Sequence, residues 1–172
     1  MDNQKVDNQC LGFAPIVSPN PNMVILGTMP SVKSLEHAFY YAHPQNQFWP
    51  IMSSITGHAI ETVEHKRQLI ELSGIILWDV LQACERKGSL DSAIQKPIAN
   101  DFSSLFNQFD SIQYVVFNGK KAEQLFKQHV IKKQSIPTNL IFVSLPSTSP
   151  ANATMKKQDK QLFWQEKLSD LL

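Results

Sequence analysis

Four short apolar runs constrain this chain more than anything else in it. Residues 23–28, 74–78, 114–118 and 140–144 are rich in Val, Ile, Leu or Phe and are bounded by Gly, Asn, Pro or Ser, the pattern of strands between turns. Their apolarity is continuous rather than alternating. Both faces of each strand are therefore expected to be buried, as in a parallel sheet. Helical spacing fills the gaps between the runs. Phe48, Ile51, Met52 and Ile55 share one helical face. Residues 63–72 form a second stretch, with Glu64 and residues 66–68 facing water. Ala122, Leu125 and Phe126 follow Gly119, and Leu162, Phe163, Leu168, Leu171 and Leu172 mark another helix. Strands alternating with helices predict an α/β domain, here three αβα layers around a four-stranded parallel sheet. The length, 172 residues, fits one domain over the whole chain. Residues 1–10 are expected to be loose, and residues 18–22 to turn into the first strand.

In such a sheet, ligands bind beyond the carboxyl ends of the strands. The first run ends in Gly27, Thr28, Met29, Pro30 and Ser31. The second ends at Asp79 and the third at Asn118 and Gly119. The fourth opens into Leu145-Pro146-Ser147-Thr148-Ser149-Pro150-Ala151-Asn152. All four loops should open on one edge. Small residues such as Gly27 and Thr28 let a ligand approach the backbone. A dense aromatic, histidine and amide packet follows from Phe39 to Trp49, including Tyr40, Tyr41, His43, Pro44, Gln45, Asn46, Gln47 and Phe48. Aromatics beside amides suit a flat polar ring such as a nucleobase.

These segments, in this order and each behind a strand, resemble the uracil-DNA glycosylase superfamily. The glycine–proline loop at residues 27–31 matches the place of that family's first motif. The segment from His43 to Trp49 looks like its counterpart in the mismatch-specific and hypoxanthine-DNA glycosylase branches. Residues 145–152 are placed like the family's DNA-clamping loop. The resemblance covers about residues 23–152. It implies a uracil-DNA glycosylase-like fold and a monofunctional enzyme of base excision repair. Such an enzyme flips a deaminated base, hypoxanthine first and uracil second, from double- or single-stranded DNA and hydrolyses its N-glycosidic bond. It works as a monomer without cofactor or metal.

The same resemblance suggests roles. The family's water-holding residue of the first motif is Met29 here, which can hold no water. The His-Pro-x-Asn segment of the hypoxanthine branch points instead to Asn46. Tyr41 matches a base-stacking aromatic of the mismatch-specific relatives. Asp79 ends a strand similar to one that ends in a base-reading Asn in uracil enzymes, so Gly27, Thr28, Met29, Tyr41 and Asp79 would form the base pocket. Ser31, Ser147, Ser149 and Lys156 would meet DNA. The histidine common before the proline of the second motif is Leu145, which leaves stabilisation of the departing base to other means.

The residues themselves leave alternatives open. Asn46 suits an N-cap ahead of Gln47, Phe48 and Trp49, and Asp79 suits a cap after Trp78. His43 reads as a structural hydrogen-bonding histidine. A non-catalytic α/β module that binds a nucleotide in the same edge pocket is the competing class. A net charge of +1 gives little general attraction for phosphates, so any DNA contact must come from local clusters such as Lys156, Lys157 and Lys160. Two cysteines, Cys10 and Cys84, are too few for a four-thiolate cluster. The polar first ten residues lack a secretory apolar segment, and no long apolar run exists, so a cytoplasmic protein is expected.

Overall fold

The computed structural model describes residues 8–172, so most of the segment expected to be loose lies outside the described residues. Its end is not loose: Gln9–Leu11 forms strand β1. The main sheet holds β2 (Ile16–Val17), β4 (Ile75–Asp79), β3 (Met23–Gly27), β7 (Tyr114–Asn118) and β8 (Ile141–Leu145), in that spatial order. β3, β4, β7 and β8 are mutually parallel, whereas β2 runs antiparallel to β4. The expected four-stranded parallel sheet is therefore corrected to a five-stranded mixed one. The fifth strand is two residues long, too short to leave a run in the sequence.

Every residue of β3 is buried, and the two faces feed different cores. Val24 and Leu26 pack with Ile76, Val115, Phe117 and Phe126. Met23 and Ile25 pack with Ile75, Leu77, Phe48 and Trp164. The first core is covered by α4 (Phe102–Gln108) and α5 (Lys120–Phe126), the second by α2 (Phe48–Thr56), α3 (Val63–Leu72) and α6 (Lys157–Leu168). Each fully buried large side chain contributes about 1.5–3 kcal/mol. β8 departs from this pattern. It lies at the sheet edge, and Ile141 and Phe142 stay exposed.

Two helices escaped the periodicity argument because they are short. In α1 (Val32–His37), Ser31 Oγ accepts from Ser34 N–H at 3.1 Å. In α4, Asp101 accepts from Ser104 N–H at 3.0 Å. Both caps satisfy backbone donors that the first turn cannot.

A second, antiparallel sheet was not foreseen. It pairs β1 with β5 (Leu81–Glu85), and β5 with β6 (Gln95–Ala99). Its strands, QCL, LQACE and QKPIA, mix Gln, Lys and Glu with apolar residues, and β6 contains Pro97, so they carry no strand signature. The chain passes from β4 to β5 through Val80. There Val80 N–H donates to Gly27 O at 2.9 Å and Leu81 N–H to Thr28 O at 3.2 Å. The hairpin from β5 to β6 then returns to the carboxyl edge of the main sheet through a short 3₁₀ turn, Asp91–Ala93. Among the described residues no helix is long and apolar enough to cross a membrane.

Candidate active site

A cavity of about 570 Å³ opens at the carboxyl ends of β3, β4, β7 and β8. Gly27, Thr28, Met29 and Ser31 line it from the first strand end, Tyr41 and Asn46 from the aromatic packet, Asp79 from β4, and Ser147 and Ser149 from the last loop. The sequence-derived site residues thus meet in one place, except Lys156. That lysine is exposed at the start of α6, one residue beyond Met155, which does reach the cavity.

The floor is built around the absence of a side chain. A Cβ on Gly27 would lie 2.5 Å from Asp79 Oδ1 and 2.7 Å from Tyr41 Oη, far inside contact distance. Glycine therefore lets a carboxylate and a phenol converge on the strand end. Asp79 is buried, and neither its Oδ2 nor Tyr41 Oη has a hydrogen-bond partner among the described residues. Burial, reinforced by the neighbouring Asp91 carboxylate and opposed by Arg86, pushes the Asp79 carboxyl up to about 7. Burial likewise raises Asp91, again against Arg86. The Tyr41 hydroxyl is held neutral, chiefly by burial and then by Asp79. Unpartnered polar atoms are costly in a protein interior, and both residues that carry them line the cavity.

Tyr41 is fixed from behind. Its ring stacks on Phe48 with centroids 4.3 Å apart and planes 30° apart, and Phe48 in turn meets Trp49 and Trp164 edge-on. Tyr41 also has φ of +52°. A non-glycine residue persists there only when packing over-determines it, and such strain gathers at functional sites.

Asn46 carries both roles that its sequence position allows. Its Oδ1 accepts from Phe48 N–H at 2.9 Å, a cap-like bond at the start of α2. One carbonyl lone pair remains, and the amide nitrogen makes no hydrogen bond among the described residues. A water donating to that free lone pair keeps its own lone pair available for attack. His43 makes a local bond, its Nδ1 accepting from Gln45 N–H at 3.1 Å, and it does not line the cavity.

The last loop is tied down on all sides. Asn118 Nδ2 donates to Thr148 Oγ1 and Thr148 N–H donates back to Asn118 Oδ1, both at 2.9 Å. Gln47 N–H reaches Thr148 O at 3.1 Å, joining the two motif segments directly. From α6, Lys160 Nζ donates to Ser149 O at 3.1 Å and Trp164 Nε1 to Pro146 O at 2.9 Å. Ser147 and Ser149 accept local backbone N–H groups, which leaves their hydroxyl protons free to donate. Ser31 Oγ, by contrast, is engaged with Ser34.

Sequence reasoning missed one wall. Ser89, Leu90, Asp91 and Ser92 line the cavity from the β5–β6 hairpin, and Thr28 Oγ1 donates to Asp91 Oδ2 at 3.4 Å. Behind them, buried Arg86 donates through Nη2 to Pro30 O, while its Nε and Nη1 have no partner among the described residues. The Gly88-Ser89 pair signals a turn, but nothing in the sequence says that it folds back over the main sheet. Lys120 and Lys121 also reach the cavity wall beside Gly119.

The chain is similar to known proteins over most of its length. Residues 14–169 match the model of the uracil DNA glycosylase superfamily. A hypoxanthine DNA glycosylase of Methanosarcina barkeri is 31% identical over 151 residues, covering 87% of this chain and 92% of the relative. A hypoxanthine DNA glycosylase of Methanosarcina acetivorans is 31% identical over 156 residues, covering 90% and 94%. The solution NMR structure of a Methanosarcina acetivorans protein provisionally assigned as a uracil DNA glycosylase superposes with a TM-score of 0.77. It is 30% identical, with 95% of this chain and 98% of that one covered.

Proposed function

Because the chain belongs to the uracil DNA glycosylase superfamily and is a DNA glycosylase most like the hypoxanthine branch, we propose that it removes hypoxanthine first and uracil second in base excision repair. It works as a cytoplasmic monomer on double- or single-stranded DNA. The observation that carries this reading is the convergence of Tyr41, Asn46 and Asp79 on one cavity.

The target nucleotide leaves the stack and its base enters the cavity. The base lies on the ring face of Tyr41 that Phe48 leaves uncovered. Its ring N–H donates to the ionised Asp79 carboxylate, and the small residues at 27–29 let its edge approach the backbone. Ser147 and Ser149 donate to phosphates, with Ser31 and Lys156 alongside. Asn46 Oδ1 accepts a hydrogen bond from the attacking water and so aims the water's lone pair at the anomeric carbon. As the water oxygen bonds to that carbon, the C–N bond breaks, the electron pair leaves with the base, and the water's proton passes to solvent. Positioning of this kind works through orientation rather than basicity, which a neutral amide supplies.

Alkali-dependent cleavage of oligonucleotides carrying hypoxanthine, uracil, xanthine or a thymine mismatch tests the reading. Hypoxanthine should be released fastest and uracil next. Release of neither base would overturn it. Lys120 and Lys121 at the cavity wall favour one second reading, a lysine Schiff base with strand cleavage. Borohydride trapping separates the two, and the hydrolytic reading expects no trapped adduct.

A further inference from the structure

We propose that Cys10 and Cys84 close into a reversible disulfide when the protein meets a peroxide, and that this link straps β1 to β5. The proposal goes beyond the glycosylase reading and does not depend on it.

The chain's two cysteines are set directly opposite one another by the fold, Cys10 on β1 and Cys84 on β5, in antiparallel register. Opposite residues of a ladder present their side chains on the same face. The neighbouring bonds fix the kind of pair. Gly12 N–H donates to Gln82 O at 2.8 Å, and Arg86 N–H donates to Asn8 O at 2.9 Å. Those pairs lie two residues to either side, so Cys10 and Cys84 also occupy a hydrogen-bonded pair, whose Cα atoms stand about 5.5 Å apart. That spacing falls within the disulfide range of roughly 4.4–6.8 Å. The Cβ atoms of such a pair stand about 5.5 Å apart, whereas a disulfide draws them to about 3.8 Å. The link can therefore close, but under strain, and strained disulfides are the readily reduced ones. Reversal suits the cytoplasmic setting proposed above, where disulfides are transient.

The two thiols differ in access. Cys84 is 2% exposed and packs in the core with Val24 and Ile76, whereas Cys10 is half-buried at the margin of that core. Burial, and then the Cys10 thiol beside it, push the Cys84 thiol up, against Arg86. Cys84 thus stays protonated and covered while peroxide reaches Cys10. The Cys10 thiolate attacks one peroxide oxygen, becomes a sulfenic acid and releases hydroxide. The Cys84 thiol then displaces the sulfenic hydroxyl, and the S–S bond forms as water leaves. In sum, two thiols are oxidised to one disulfide and one peroxide is reduced to two waters.

The position of the link gives it a consequence. β1 is a three-residue edge strand in which Gln9 and Leu11 are exposed and Cys10 alone turns inward. The segment between the cysteines holds β2, β3, β4, α1, α2 and α3, and with them Tyr41, Asn46 and Asp79. Just past Cys84, the Arg86 carbonyl lies 3.8 Å from Cys10 Sγ, and its guanidinium donates to Pro30 O. The strap therefore closes a long loop around the floor of the cavity. Such a closure stabilises the fold by restricting the unfolded chain.

The test takes the full reduced chain, treats it with stoichiometric hydrogen peroxide under native conditions, and blocks the remaining thiols with N-ethylmaleimide. Peptide mapping of the parent should show Cys10 joined to Cys84 within one chain, and dithiothreitol should separate them. The oxidised parent should melt about 5 °C above the reduced parent, a gain for a long closed loop less the strain. Cys84→Ser should instead carry a dimedone adduct on Cys10 after peroxide and show no rise in melting temperature. Free thiols, a modified Cys10 without a link, or a bond between two chains in the parent map would overturn the proposal. That map decides by itself should Cys84→Ser fail to fold. A link that leaves the melting temperature unchanged would overturn the strap.

Discussion

The five-stranded sheet and the three-stranded sheet meet at Val80, and they serve the site in opposite ways. The larger sheet is apolar and buried through its central strands, and it presents its groups from strand ends that packing holds rigid. The smaller sheet buries only its central strand, is irregular between β5 and β6, and reaches the cavity from the tip of a hairpin. The first supplies the groups that would touch the base and the water: Tyr41 and Asn46 backed by α2, and Asp79 on β4. The second supplies the electrostatic surroundings, Arg86 and Asp91, and one wall. The contrast suggests that chemistry sits on the sheet whose geometry is fixed by burial, while tuning and access sit on the appended one.

The largest expected effect breaks the comparison if it is absent. Asn46→Ala should lower single-turnover release of hypoxanthine by about 100-fold or more while DNA affinity persists. It should cost about 1 kcal/mol of stability through the lost cap bond to Phe48. Equal rates in variant and parent would reduce Asn46 to a cap. Next comes the appended sheet. Arg86→Met removes a buried cation that donates to Pro30 O and offsets Asp79 and Asp91. Urea unfolding should show a loss of roughly 2 kcal/mol, the scale of a hydrogen bond to a charged group. The midpoint of the pH–rate curve should also move upward. A pH profile that does not move would show that the small sheet supports the site mechanically and does not tune it.

The smallest expected effect sharpens the role of Asp79. Its carboxyl sits near 7, and the proposed contact needs the ionised form, so hypoxanthine release should rise with pH through about 7 and then level off. Stability should run the other way. The folded-state value lies above the ordinary 3.8, so the contribution of Asp79 is complete below that value and is lost as pH rises toward 7. Asp79→Asn should therefore gain in melting temperature over the parent as pH rises from 4 to 7, and no further above. It should also lower the ratio of hypoxanthine to uracil release by about tenfold, the scale of one charge-assisted hydrogen bond. An unchanged ratio would leave Asp79 as a buried carboxylate without a part in base choice.

The same contrast explains what was legible in the sequence. β3, β4 and β7 announced themselves because burial on both faces demands unbroken apolar runs, and the loops behind them followed from the fold class. Asp79 could be singled out because it ends one of those runs, and Tyr41 and Asn46 because their segment resembles a motif of a known family. Arg86, Leu90 and Asp91 could not. Their strands satisfy themselves through ladder hydrogen bonds with few buried side chains, so composition does not mark them, and their arrival at the cavity depends on a long-range fold-back. β2 was lost for a simpler reason, since two residues define no period.

The backbone bond from Gln47 to Thr148 joins segments about a hundred positions apart, and α6 then clamps the same loop through Lys160 and Trp164. During synthesis those clamps leave the ribosome after every other wall of the cavity. A growing chain therefore has its aromatic floor long before it has its second lip. Catalytic competence should arrive in a single late step, and shortened translation products should be inert toward DNA rather than carelessly active on it.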